Sequence, residues 1–385
     1  MLSELAVQTY LRTHSFADLF ADHGVRSRHS DSRLGVWSLN YDQFAARHDD
    51  ELALDCRGLV LRTCSTEKSV VVGPTTILAR PMRRFFNFGT PFAANVDLAH
   101  ARIFEKMDGT LIILYFDHAT EKWCVATRAV PDGDVSLDGH DTTFSSLFKA
   151  TIERQYEGTF TGFCARLDDA LTYSFELTTS ENQVVVSYPT PQAHLLAVID
   201  TTTGQEHDIR EFAYALYLCP SHDFMSIEEL RQFVASRDPH RFEGLVLCDQ
   251  EHRRVKLKNE SYMALNGAVD SLIKSPRNMM NSILDGSDDD AEAQLPKYLQ
   301  ERLHAMRKGL QTYFAEVESV YRQHHTTDRK AFVLAVCNAG FSPYLAPMMA
   351  MFTGHVKCVS QFYCGRADIT TTMVDFLIQE TKARS

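Results

Sequence analysis

Glu105-Lys106-Met107-Asp108-Gly109, running into Thr110-Leu111-Ile112-Ile113-Leu114-Tyr115-Phe116, is the stretch that decides how this chain folds. Asp108 and Gly109 are turn residues. The apolar run after them predicts a buried strand over 110–116. Lys106 therefore sits at a tight turn just ahead of that strand, where its amine can be presented to a ligand. A K-x-D-G motif alone says little, because all three residues are common in turns. Its meaning depends on which cations and carboxylates the rest of the chain supplies.

The chain has 385 residues, enough for two domains with their own cores. Its hydrophobic content of 44% is that of a globular protein, and no apolar run is long enough to span a bilayer. Met1-Leu2-Ser3-Glu4-Leu5 lacks the basic start of a signal peptide. The cysteines are odd in number at 9, form no C-x-x-C pair and lie in apolar runs, as at Cys56, Cys164, Cys248 and Cys337. They read as reduced thiols of a cytoplasmic protein. A net charge of -11 argues against wholesale coating of nucleic acid but leaves room for a local basic groove. Basic residues cluster at Arg80, Arg83 and Arg84, at Arg253, Arg254, Lys256 and Lys258, and from Arg322 through His324 and His325 to Arg329 and Lys330. Taken singly, each cluster reads as a solvated face.

Strands are predicted over 70–72, 123–127, 173–177, 184–188, 195–199, 243–248 and 253–257, the last two joined as a hairpin by Asp249-Gln250-Glu251-His252. Helices are predicted over 145–156 and 226–236, the second opened by Ser226 with Glu229 three residues on. After Ser261 the period changes. Tyr262, Leu265, Val269, Leu272 and Ile273 share one helical face, as do Leu299, Leu303, Met306, Leu310, Phe314 and Val317. Residues 346–352 and 371–378 also read as helical, and 286–290 as the most disorder-prone stretch. The expected division is a mixed domain over 1–260 and an all-helical one over 261–385. There is no internal repeat and no Walker-type phosphate loop.

A lysine that attacks a nucleoside triphosphate must be neutral. Bringing its pKa from ~10.4 to near 7 takes about 4 kcal/mol, which nearby cations and a metal can supply. Further cations must hold the triphosphate, and carboxylates must bind a metal and the ribose. The candidates follow in order: Arg57 in Asp55-Cys56-Arg57-Gly58, Arg84 in Arg80-Pro81-Met82-Arg83-Arg84-Phe85-Phe86-Asn87, then Arg128, Glu176, Glu243, and Lys256 with Lys258. Two-residue spacing puts both lysines on one face of a strand, an awkward pairing unless an anion meets them. Glu176 and Glu243, each in apolar strand sequence, are costly to bury without a partner.

Lys106-Met107-Asp108-Gly109, Phe175-Glu176-Leu177, Glu243-Gly244-Leu245-Val246 and Val255-Lys256-Leu257-Lys258 resemble the signature motifs of the covalent nucleotidyltransferases, which include polynucleotide ligases and capping enzymes. Within that superfamily the chain resembles the phage RNA ligase 1 family. Asn40-Tyr41, Asp55-Cys56-Arg57-Gly58, Arg80-Pro81-Met82 with Phe85-Phe86-Asn87, Asn95-Val96-Asp97-Leu98, Ile283 through Asp290, and Asp328-Arg329-Lys330 carry the match over nearly the whole chain. The resemblance implies an α+β nucleotidyltransferase (ATP-grasp-like ligase) domain with antiparallel sheets, followed by an all-helical C-terminal domain for RNA specificity. It also implies an ATP- and Mg2+-dependent (or Mn2+-dependent) RNA ligase acting through lysyl-AMP and RNA-adenylate. By the same resemblance, Lys106 would be the nucleophile and Tyr262 would assist the later steps. Arg57, Arg84, Phe86, Glu105, Gly109, Arg128, Glu176, Glu243, Lys256 and Lys258 would form the ATP site, with Glu243 and Asp289 toward the metal.

The expected partner is RNA with 3′-OH and 5′-phosphate ends, such as nicked tRNA, prepared by a separate end-healing enzyme. A monomer off the membrane is expected. DNA ligases and GTP-using capping enzymes carry a barrel where helices are predicted here. The remaining alternative is an inactive RNA-binding protein on the same fold. The chain departs from the family pattern with Arg in place of Lys at 84 and 128, with Leu39 in place of Tyr, and with a longer stretch between Lys106 and Glu176. A planar guanidinium and a point-charge ammonium hold phosphates differently.

Overall fold

The computed structural model describes residues 4–134, 142–181, 183–213, 216–274, 276–285, 295 and 297–363. Its tertiary contacts divide the chain into two compact units, Met1–Met263 and Ala264–Ser385. The expected disorder-prone stretch, Asp289 within it, and the expected helix over 371–378 lie outside the described residues.

The first unit holds three sheets. The first is the antiparallel meander β1 (Val25–His29), β2 (Val36–Tyr41), β3 (Arg57–Thr63) and β4 (Thr75–Ala79). Helices Ala6–Leu11 and Phe16–His23 pack on one face, closing a core of Phe16, Leu19, Trp37, Leu39 and Leu61. The second helix is set by its ends. Ser15 and Asp18 exchange backbone and side-chain hydrogen bonds at its start, and Gly24, at φ 62°, stops it. The expected strand over 70–72 is absent. Val70 and Val71 are 50% and 52% exposed, and only Val71 bridges to Ser15.

β5 is Phe86–Asn87 and β6 is Arg102–Glu105. The second sheet has the order β11-β10-β9-β7-β8, built from β7 (Thr110–Asp117), β8 (Lys122–Thr127), β9 (Leu171–Thr178), β10 (Gln192–Asp200) and β11 (Glu206–His207). β7 is covered on both faces, which explains its unbroken apolar run. Ile112 and Leu114 pack with Phe148 and Ile152, whereas Ile113 and Tyr115 pack with Val36 and Val60 of the first sheet.

The third sheet has the order β12-β6-β13-β14-β5, with β12 (Ser221–His222), β13 (Gly244–Cys248) and β14 (Arg254–Lys258); only the short β14–β5 pairing is parallel. β13 and β14 form the expected hairpin, with Gly244 opposite Lys258 and Val246 opposite Lys256. Helix Ile227–Ala235 covers one face through Leu230 and Val234, and Ser226 accepts the Glu229 N–H at its start.

The second unit is helical throughout its described residues. Helices Pro276–Asp285, Lys297–His324, Arg329–Asn338, Leu345–Phe352 and Val359–Tyr363 close a core of Met280, Leu310, Tyr313, Val317, Phe332 and Met348. Leu299, Leu303, Leu310 and Val317 of the longest helix are buried, and Met306 and Phe314 flank the core. No helix among the described residues is long and apolar enough to cross a membrane.

Candidate active site

Lys106 lies where the chain leaves the third sheet for the second. β6 ends at Glu105, and β7 begins at Thr110. The Lys106 N–H donates to the Gly244 carbonyl (2.8 Å), so the turn continues the pairing with β13. Asp108 pins the turn from inside. Its Oδ2 accepts the N–H groups of Val185 (2.9 Å) and Val186 (2.8 Å), and its Oδ1 accepts the Tyr262 hydroxyl (2.7 Å). The Asp108 N–H donates to Tyr188 Oη (3.0 Å). These bonds explain why 184–188 is an irregular loop instead of the expected strand: Val185 and Val186 give their N–H groups to a buried carboxylate. The Gly109 N–H donates to Glu176 Oε1 (3.1 Å). A Cβ on Gly109 would stand 2.3 Å from the Leu177 carbonyl oxygen, so backbone excludes any side chain there.

Glu243 organises the charges. It is 2% exposed, and its two oxygens meet two ammonium groups: Oε2 with Lys106 Nζ at 2.7 Å and Oε1 with Lys258 Nζ at 2.8 Å. Lys256 and Lys258 belong to the same strand face, two residues apart on β14. Burial pushes Lys256 down to about 8, with Lys258, Lys106 and Arg57 adding to the effect. Burial also acts to lower Lys106, but the Glu243 and Glu176 carboxylates outweigh it and hold the amine above its ordinary range. This differs from the sequence expectation of a lowered nucleophile. The carboxylates around Lys106 outweigh its burial. Burial raises Glu176 to about 7 against the pull of Lys106 and Arg57.

The arginines lie against aromatic rings. The Arg84 guanidinium is 4.1 Å from the centroid of Tyr41 and 5.1 Å from that of Phe86, and Arg128 is 5.9 Å from Tyr41. Arg57 and Lys256 lie 5.5 and 5.6 Å from Phe85. Nη1 of both Arg57 and Arg84 is buried without a hydrogen-bond partner. A buried guanidinium nitrogen left unpaired is the mark of a site shaped for an anion.

A cavity is lined by Arg57, Glu105, Lys106 and Glu176, with Met82, Phe85, Leu195 and Val246 among its apolar walls. Its mix of apolar walls and convergent charged groups suits a nucleotide. Glu105 is also paired with His222 Nε2 at 2.8 Å.

The structure thus links Lys106 to Lys258 through Glu243, Tyr262 to Asp108, and Gly109 to Glu176, and sets Arg84 and Arg128 beside Tyr41, with Phe86 beside Arg84. Sequence reasoning passed over Tyr41 and Phe85 as cation supports and Asp108 as the clasp of the turn. Each stood inside a quoted motif, so aromatic residues beside motif arginines were the available signal. Among the described residues, no group of three or more His, Cys, Asp or Glu side chains could by itself hold a metal ion.

A family profile described as RNA ligase, of the T4 RNA ligase 1 type, matches residues 55–262. A protein of Autographa californica nuclear polyhedrosis virus, provisionally named a bifunctional polynucleotide kinase/RNA ligase, is 26% identical over 273 residues. That match covers 67% of this chain and 37% of the viral protein, so the chain spans little more than a third of that relative. An RNA ligase of Rhodothermus phage RM378 is 23% identical over 337 residues, covering 70% of this chain and 73% of the phage protein. Among solved structures, an archaeal ATP-dependent RNA ligase aligns with a TM-score of 0.41 at 12% identity, over 84% of this chain and 86% of that one. A Naegleria gruberi RNA ligase mutant with ATP and Mn aligns with a TM-score of 0.32 at 14% identity, over 43% and 51%. The profile spans more than half of the chain, including every motif from Arg57 to Tyr262, and the chain belongs to the RNA ligase family of the phage RNA ligase 1 type.

Proposed function

We propose that the protein is a cytoplasmic ATP-dependent RNA ligase that joins 3′-OH and 5′-phosphate ends, with broken tRNA as its substrate. The observation that carries this reading is Glu243, a buried carboxylate bridging Lys106 and Lys258, with Lys106 opening on a cavity that the partly unpaired Arg57 guanidinium also lines. That arrangement stores a lysine nucleophile against one anion until another arrives.

In the proposed sequence, the triphosphate meets Lys256, Lys258, Arg57 and Arg84 and draws Lys258 away from Glu243. The Lys106 ammonium gives up one proton to solvent, which leaves Nζ neutral. Nζ then attacks the α-phosphorus, the bond to pyrophosphate breaks, and lysyl-AMP forms. The RNA 5′-phosphate oxygen next displaces Lys106 from that phosphorus to give RNA-adenylate. The 3′-hydroxyl finally attacks the RNA 5′-phosphorus and AMP leaves. Glu105, Glu176 and the Gly109 backbone border the nucleoside, and Tyr262 holds Asp108 through all three steps. A divalent cation such as Mg2+ binds with one or two carboxylates plus substrate phosphates and needs no preformed cage. Glu243, freed from Lys258, and Asp289 would hold it here, and when bound it neutralises phosphate charge. The helical unit would select the RNA, and a separate end-healing enzyme would prepare its ends.

The test is a gel assay of 5′-phosphorylated, 3′-hydroxyl RNA with ATP and Mg2+. Joined product, with RNA-adenylate accumulating when the 3′-end is blocked, is expected. RNA left unjoined and unadenylated would reject the ligase reading, and labelling of the protein by GTP in place of ATP would move it to the capping class.

A further inference from the structure

We propose that a groove beside the nucleotide cavity takes the single-stranded end of the RNA, with Arg80 on a backbone phosphate and the His48–Phe92 stack under an unpaired base. The proposal rests on the ligase reading for why RNA should visit this face.

The groove is open to solvent, and its lining includes five arginines, Arg80, Arg83, Arg84, Arg253 and Arg254, against two carboxylates. Most of them are already engaged: Arg83 with Asp55 (2.7 Å), Arg253 with Asp249 (2.6 Å) and Arg254 with Glu206. Its two carboxylates, Glu206 and Glu251, are both held by those arginines. Arg80 is different. Among the described residues no hydrogen bond or ion pair reaches its guanidinium. The group is half-buried against the turn at Gly204, where φ is 75° and a Cβ would stand 2.2 Å from Arg80 Cζ. The turn therefore makes room for a guanidinium that feels the Asp55 and Asp200 carboxylates only at a distance, which leaves its donors open to an anion from outside.

An aromatic platform borders the same groove. His48 is exposed and stacks on Phe92 at 5.1 Å and 18° between ring planes, and Phe92 is itself 48% exposed. Cations beside exposed aromatic rings are how proteins hold single strands, because every base has a face to stack while a duplex hides its faces. In a chain of net charge -11, a groove with surplus arginine favours a polyanion. The groove also shares Met82, Phe85, Glu206 and Arg254 with the nucleotide cavity, so a strand lying in it runs toward Lys106. That is the path a 5′-phosphate end needs to reach the adenylate.

The test uses the full chain as wild type, Arg80→Ala and Phe92→Ala. Fluorescence anisotropy follows binding of a labelled 5′-phosphorylated single-stranded RNA over a range of salt, and self-adenylylation is measured in parallel. Each variant is expected to bind the RNA on the order of tenfold more weakly. Arg80→Ala should lower the slope of log K against log salt by about one, and Phe92→Ala should leave it in place. Self-adenylylation should be unchanged in Arg80→Ala, since Arg80 does not line the nucleotide cavity, whereas Phe92→Ala is read by RNA affinity alone because its ring borders Phe86. Unchanged RNA affinity in the variants overturns the proposal. A loss of adenylylation in Arg80→Ala, with or without a loss of RNA affinity, also overturns it by assigning Arg80 to the triphosphate. A wild type that never labels with ATP, while the variants lose RNA affinity as expected, sinks the ligase reading and leaves the groove standing.

Discussion

Glu243→Gln reads the charge balance of the site directly. The substitution keeps the shape and removes the one negative charge between Lys106 Nζ at 2.7 Å and Lys258 Nζ at 2.8 Å. At an effective dielectric constant of about 20, a unit-charge pair at that separation interacts by roughly 6 kcal/mol before desolvation is counted. The net cost of breaking a buried pair by deleting one partner is smaller, about 3–5 kcal/mol. For a domain of this size that corresponds to a fall in melting temperature on the order of 10 °C.

The pH dependence has a definite sign. Lys106 titrates above its ordinary value because Glu243 and Glu176 outweigh burial. The stability it contributes is therefore complete below the unfolded lysine value of about 10.4 and is lost as pH rises through the higher folded value. Melting of wild type and Glu243→Gln by calorimetry should differ by a constant amount from about pH 8 to about 9.5, above the titration of Glu176 that Glu243 helps to raise, and the gap should narrow above about pH 10.5. Melting temperatures that coincide at neutral pH, or a gap that persists undiminished at the alkaline end, would refute this account. In the variant, the limb on which self-adenylylation rises with pH should move to lower pH, because the carboxylate that holds the proton on Lys106 is gone.

Other outcomes follow from neighbouring contacts. Glu176 is raised to about 7 by burial, so its ionisation destabilises the fold as pH climbs from its unfolded value through 7. Glu176→Gln should abolish that decline, a difference on the order of 1–3 kcal/mol by pH 8 in denaturant titrations; identical pH profiles would refute it. Tyr262→Phe removes the hydroxyl that donates to the buried Asp108 and should cost about 1.5–3 kcal/mol of stability. It should also raise the Asp108 carboxyl further, since that hydrogen bond opposes the effect of burial. Gly109→Ala places a Cβ 2.3 Å from the Leu177 carbonyl oxygen and should abolish labelling by ATP. Full activity in that variant would mean that the turn is looser than described.

What was legible in the sequence was local. The strand over Thr110–Asp117 announced itself by an unbroken apolar run, because both of its faces are buried. The β13–β14 hairpin and the shared face of Lys256 and Lys258 followed from spacing along one strand. β1 was missed because it mixes charge with burial: Arg26 and Arg28 alternate with Val25 and Ser27. The stretch 184–188 was misread because its apolar residues mimic a strand, while its N–H groups serve Asp108, whose position in sequence is remote. The charge state of Lys106 was beyond local reading altogether, since it depends on a carboxylate 137 residues away. Individual site residues could be named from motifs, but which anion occupies the lysines in the absence of nucleotide could only be seen once the sheets were brought together.

The central claim is that Lys106 becomes covalently adenylylated. Incubating the protein with α-labelled ATP and Mg2+, then denaturing it, should leave label on the wild type and none on Lys106→Ala, with the bond acid-labile and alkali-stable as a phosphoramidate is. A wild type without label, or a Lys106→Ala variant that labels equally well, would contradict the account.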